Sequence, residues 1–244
     1  MAYFGISLPR DAQTNFLMLV RLIHLVTGIT WIGLLYFFNF VGFPLMKDLD
    51  PPTRVQVMPP LMLRALWWFR WSALVTVLSG LAYWGNVVAA AAEKVGASSG
   101  TAMGSFFLIW TTAWAILYAL LLPGKGPLNK EPVLALAAAI VVSAAAYLFL
   151  QFNSHGWESN RMLAIGIGGG IGWVMLLNVW GVVWRIQKRL IAWTKANAEN
   201  GTPIPERSQR MARVSFLTAR ISAWLSIPLL FFMGAATHYT MFSG

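Results

Sequence analysis

Cysteine is absent from the 244 residues. Within this sequence that excludes disulfides, thiolate zinc sites, cysteine-held iron–sulfur clusters and covalent c-type haem attachment. Charge is scarce as well. Only 11% of residues are charged, against about 25% in a soluble domain. Acid is scarcest of all. The eight carboxylates, Asp11, Asp48, Asp50, Glu93, Glu131, Glu158, Glu199 and Glu206, fall in expected loops or at helix ends, and none lies inside a long apolar run. Proton pumps and ion-coupled carriers usually place carboxylates within the membrane, so the pattern speaks against both. The short alternating segments of an outer-membrane barrel are missing. The opening MAYFGISLPRDAQTN lacks the charged-then-apolar layout of a cleavable signal.

What remains is apolar: 58% hydrophobic and 14% aromatic, with a mean hydropathy of +0.63. A bilayer crossing takes about 20 apolar residues, and helices satisfy their own backbone hydrogen bonds in lipid. Six spans are expected: Phe16–Leu45, Leu66–Ala92, Met103–Leu122, Val133–Phe152, Leu163–Ile186 and Val214–Met241. The fold class is therefore an all-α polytopic bundle, and residues 1–244 read as one integral membrane domain. Punctuation agrees. The pairs Pro51/Pro52 and Pro59/Pro60 should interrupt the first connection, Gly96–Gly100 the second, and PGKGP at Pro123–Pro127 the third. The Gly166–Gly172 run lies inside a span with no strand before it, so close helix packing explains it better than a dinucleotide fingerprint.

The net charge is +10. Its distribution argues for topology and anionic lipid contact, not nucleic acid. The connection between spans five and six holds Lys188, Arg189, Lys195, Arg207 and Arg210; the first holds Lys47, Arg54 and Arg64; the third holds Lys125 and Lys130. The alternate connections hold only Lys94 and Arg161. The positive-inside rule then puts both termini outside the cytoplasm, which in a Gram-negative inner membrane is the periplasm.

Three histidines could carry chemistry. His24 is about eight residues, roughly 12 Å, into the first span from its outer end, and His238 is about 5–10 Å deep in the sixth. His155 follows the fourth span. All three fall on one side of the membrane. Two histidines on facing helices can ligate a b-type haem without cysteine. A lone intramembrane histidine can instead bond a neighbouring helix, and His155 also suits a surface loop. Arg21 is one turn from His24 and has no acid in the spans to neutralise it; a haem propionate would do so, as would snorkelling to headgroups. Arg220 is expected to snorkel inward. Trp31, two turns beyond His24, could flank a porphyrin or simply pack. The eleven methionines form no close ladder, so copper handling is a weaker reading and core filling a better one.

The stretch HLVTGITWIGLLYFFNF from His24 resembles the membrane domain of bacterial cytochrome c-linked urate oxidases. WWFRWSALVTVLSG in the second span is similar to that family's W-F-x-W-x-x-x-x-T-x-x-S/T-G segment. LLNVW around Asn178 and LSIPLLFFMGAATHY before His238 are similar to later family stretches. The resemblance carries over His24, Gly28, Trp31, Gly33 and His238. It implies an oxidoreductase setting and a periplasmic cytochrome c partner. Family histidines expected near Gly166 and Ile221 are replaced here. One haem b is then the expected cofactor, with His24 and His238 as ligands, His155 as a weaker candidate, and Arg21, Gly28 and Trp31 around it. The expected role is an electron-transfer subunit. A urate-oxidising enzyme and an accessory subunit of a larger respiratory or photosynthetic complex are the alternatives.

Overall fold

The computed structural model describes residues 9–122, 126 and 130–242. Six helices form the bundle: α1 Ala12–Asp48, α2 Pro51–Val95, α3 Ser99–Leu121, α4 Glu131–Asn153, α5 Asn160–Asn200 and α6 Arg207–His238. All six are long and apolar enough to cross a membrane. Among the described residues there are no strands. The Pro123–Pro127 turn and its Lys125 lie outside the described residues apart from Gly126.

Side chains at the helix ends account for the boundaries. Asp11 caps α1, accepting from Thr14 N at 2.8 Å and Thr14 Oγ1 at 2.7 Å. Those bonds favour the charged carboxylate and hold its pKa below the ordinary value. Asp50, Ser98 and Ser159 cap α2, α3 and α5 in the same way. Gly96 and Gly201 close α2 and α5 with φ of 68° and 66°, a left-handed turn that costs a glycine nothing.

The first connection differs from expectation. Pro51 and Pro52 begin α2 rather than break the chain, and Pro59 and Pro60 lie inside it. Proline at the first helical position forfeits a bond that no helix start makes. The carbonyls that Pro59 and Pro60 leave without intrahelical partners lie in the first turns, before the apolar span begins at about Leu66. The fifth span also outruns its expected end: α5 continues through Lys188, Arg189 and Lys195 as an amphipathic extension.

α5 is the axis of the bundle. Its apolar window is 78% buried, whereas that of α1 is 11% buried and presents Leu19, Leu22, Leu25 and Ile29 outward. An exposed apolar face of that extent suits lipid. The expected close packing of the glycine run is present. A Cβ on Gly170 would fall 1.8 Å from the Trp110 ring, and one on Gly166 would fall 2.3 Å from Phe149. The Phe149 ring thus fills the space beside Gly166, where the family resemblance leads one to expect a histidine.

α1 and α5 each widen into a π-helical stretch, Phe37–Gly42 and Asn178–Val183. Both widenings set a buried asparagine against α6. Asn39 Nδ2 donates to Leu35 O at 2.8 Å and Ala219 O at 3.4 Å, and Asn178 Nδ2 donates to Ser222 Oγ at 3.1 Å. Arg220 does not simply snorkel: it pairs with Glu131 at 3.5 Å and bonds Asn39 O at 3.4 Å. At this end of the bundle, away from the chain termini, Arg70 lies 3.8 Å over the Trp184 ring. Aromatic and ionic contacts close it.

Candidate functional site

The opposite end, where α1 begins and α6 ends, is hollow. α1 packs mainly on α2, and α6 mainly on α5; between the two pairs lies a cavity of about 710 Å³. Cofactor and ligand sites usually fall between about 300 and 1,000 Å³. The wall is overwhelmingly apolar, and Gly28, Gly80, Gly168 and Gly172 line it from three helices.

One imidazole faces this space. His24 Nδ1 lies 2.7 Å from the backbone oxygen of Thr76. A carbonyl oxygen can only accept, so Nδ1 carries the proton, and in the neutral imidazole Nε2 keeps its lone pair. Nε2 makes no hydrogen bond among the described residues. Metal-ligating histidines are commonly oriented by such a second bond. Gly80 gives the ring its seat, since a Cβ there would fall 2.9 Å from His24 Cε1. The Thr-x-x-Ser-Gly of the second span, Thr76 to Gly80, is thus the segment against which His24 rests.

Two cations stand at the cavity's outer margin. Arg21 and Arg161 both approach the Tyr83 ring, with guanidinium carbons 4.9 and 5.2 Å from its centre. Arg161 also donates to the Tyr83 hydroxyl. Neither arginine has a carboxylate partner among the described residues, and Arg161 Nε is buried without an acceptor. Two like charges gathered on one ring with no acid call for an anion. Deeper in the wall, Trp31 is 2% exposed and its indole N–H has no acceptor.

The cavity therefore gathers His24, Arg21, Gly28 and Trp31 from the expected set, with Gly33 also in the wall. His238 is the exposed last residue of α6, and it is not among the lining side chains. His155 is elsewhere: its Nδ1 pairs with Glu158 at 2.8 Å, and its backbone N–H donates to the same carboxylate at 2.7 Å. That pair clasps the loop before α5. Among the described residues no three of His, Cys, Asp and Glu gather about one point. Sequence reasoning missed Arg161, which it counted as a loop charge, along with Tyr83 and Met233. In the sequence Glu158 stands three residues before Arg161 and hides its lack of an acid; only the fold shows that carboxylate engaged with His155.

Fold and cavity together define a polytopic helical membrane protein with a cation-rimmed apolar cavity. Residues 50–244 match the urate oxidase N-terminal family, and the chain belongs to it. The match spans α2 to α6 and begins after the stretch of α1 that carries His24. No curated protein and no solved structure gives a match.

Proposed function

We propose that the protein is a b-type haem electron-transfer subunit of the bacterial inner membrane, with both termini on the periplasmic side. The observation that carries this reading is the imidazole in the cavity wall, fixed through Nδ1 with Nε2 free. The remaining walls fit a porphyrin. Glycines on three helices line an apolar space, and the Arg21 and Arg161 pair suits two propionates. When bound, haem b supplies reversible one-electron chemistry, while the protein supplies binding, orientation and tuning of potential. His24 would hold the iron, Thr76 O would fix the imidazole, and the apolar walls would keep water out. The site lies near the end with the chain termini, within reach of a periplasmic cytochrome c or a partner subunit of a larger membrane assembly.

The test is a reduced-minus-oxidised difference spectrum of the full chain produced with haem available. A b-type spectrum is expected. Its absence removes the proposal.

The arginine pair also favours a second reading. Two guanidinium groups without a carboxylate partner at an apolar cavity suit a planar purine anion, and the family's name points to urate. Urate-dependent reduction of added cytochrome c would support it, and no reduction would dismiss it.

A further inference from the structure

Within the proposed haem reading, the second axial position needs a donor, and His238 is out of place for it. Helix geometry explains why. The cavity-lining stretch of α6 includes Leu229, Met233 and Thr237. These are spaced by four, so they share a face. His238 is five residues beyond Met233, which turns it about 140° around the helix from that side chain.

We propose that Met233 is the second axial donor, giving haem held by His24 from α1 and Met233 from α6. Three observations support this. First, His24 and Met233 are the imidazole and the thioether of the lining set; its two phenols are engaged, Tyr36 with Ser226 Oγ at 2.8 Å and Tyr83 with Arg161. Second, the two side chains lie at neighbouring depths. Trp84 Nε1 donates to Met162 O at 3.0 Å and so ties α2 to α5 at one level. Gly80, the seat of His24, is four residues below Trp84, and Gly166 is four residues below Met162. The Met233 methyl lies 3.0 Å from where a Gly168 Cβ would be, and Gly168 is six residues below Met162, so the two side chains lie within roughly two turns of one depth. Third, Gly168 leaves that methyl its room, and methionine is unbranched and able to turn its sulfur toward an occupant.

Histidine–methionine ligation raises the potential relative to a bis-histidine site and is spectroscopically distinct. The experiment uses the full chain with haem bound and compares wild type with Met233→Leu, Met233→His and His238→Ala. The expected ferric wild type shows the weak far-red band of sulfur-to-iron charge transfer, and so does His238→Ala. Met233→Leu loses the band, lowers the midpoint potential and gains carbon monoxide binding in the reduced state. Met233→His restores a six-coordinate spectrum of bis-imidazole type, which shows that loss of the band in the leucine variant is not misfolding. A wild-type haem of bis-imidazole type that His238→Ala alone disrupts would overturn Met233 and leave the haem reading standing. A protein without haem would overturn both.

Discussion

The two faces of one glycine run do opposite work. On the side of α3 and α4, Gly166 and Gly170 receive the rings of Phe149 and Trp110 at distances that leave no room even for a methyl group. On the side of α6, Gly168 and Gly172 line the cavity, where a Cβ would meet the Met233 methyl at 3.0 Å from Gly168 and Leu229 Cδ1 at 3.4 Å from Gly172. A small residue closes a helix interface where the partner supplies a large ring, and opens a void where it does not. Glycine in a membrane helix therefore has no single meaning; the facing helix decides.

This contrast can be broken from either side. The largest effect is expected on the packed face. Gly170→Ala should cost about 3 kcal/mol or more, because a rigid buried indole must move. Thermal unfolding in detergent should show it, and an unchanged midpoint would mean that the Trp110 contact is wrong. On the open face, Gly172→Phe should leave the unfolding midpoint nearly unchanged, since its nearest neighbour is Leu229 Cδ1 at 3.4 Å, yet it should abolish haem retention by filling the space. Full haem occupancy in that variant would place the cofactor elsewhere.

At the cavity's margin, Arg21→Gln and Arg161→Gln should each weaken haem binding about 10- to 100-fold, the range expected for one charge-assisted hydrogen bond. Haem-transfer titration reads this directly, and wild-type affinity in both variants would free the propionates from these residues. The smallest effect is at the start of α1, far from both faces. The Asp11 carboxylate has a lowered pKa in the fold, so its capping stabilisation is present above the ordinary carboxylate pKa and is lost as pH falls through the folded value. Asp11→Ala should therefore lower the unfolding midpoint slightly at neutral pH and not at pH values below that range. A deficit that persists at low pH would point to a role other than capping.

Much of this was legible in the sequence, and the misses have physical causes. Six apolar runs produced six spanning helices because hydropathy and length alone decide that question. The α2 start was missed because Pro51 and Pro52 signal a break in isolation but suit a helix's first turn after Asp50. His24 and Arg21 stood out because an imidazole and a cation in a span without acid have few partners. Trp31 followed by spacing, seven residues on, and Gly28 from the family resemblance. Arg161 was hidden because a cation at a helix start looks like a topological charge until Arg21 is found across the same tyrosine. The seat of His24 was hidden because its acceptor is a backbone carbonyl, which every residue has. His238 shows the limit of arguing from depth: it is the exposed last residue of α6 and is not among the side chains that line the cavity.

The central claim is that His24 holds a haem in the cavity between α1, α2, α5 and α6. The direct measurement is the reduced-minus-oxidised spectrum of wild type and His24→Ala, purified in parallel with haem supplied and with matching helical content. The account predicts a b-type spectrum in the wild type and its loss in the variant. A b-type spectrum of equal intensity and position in both would contradict it.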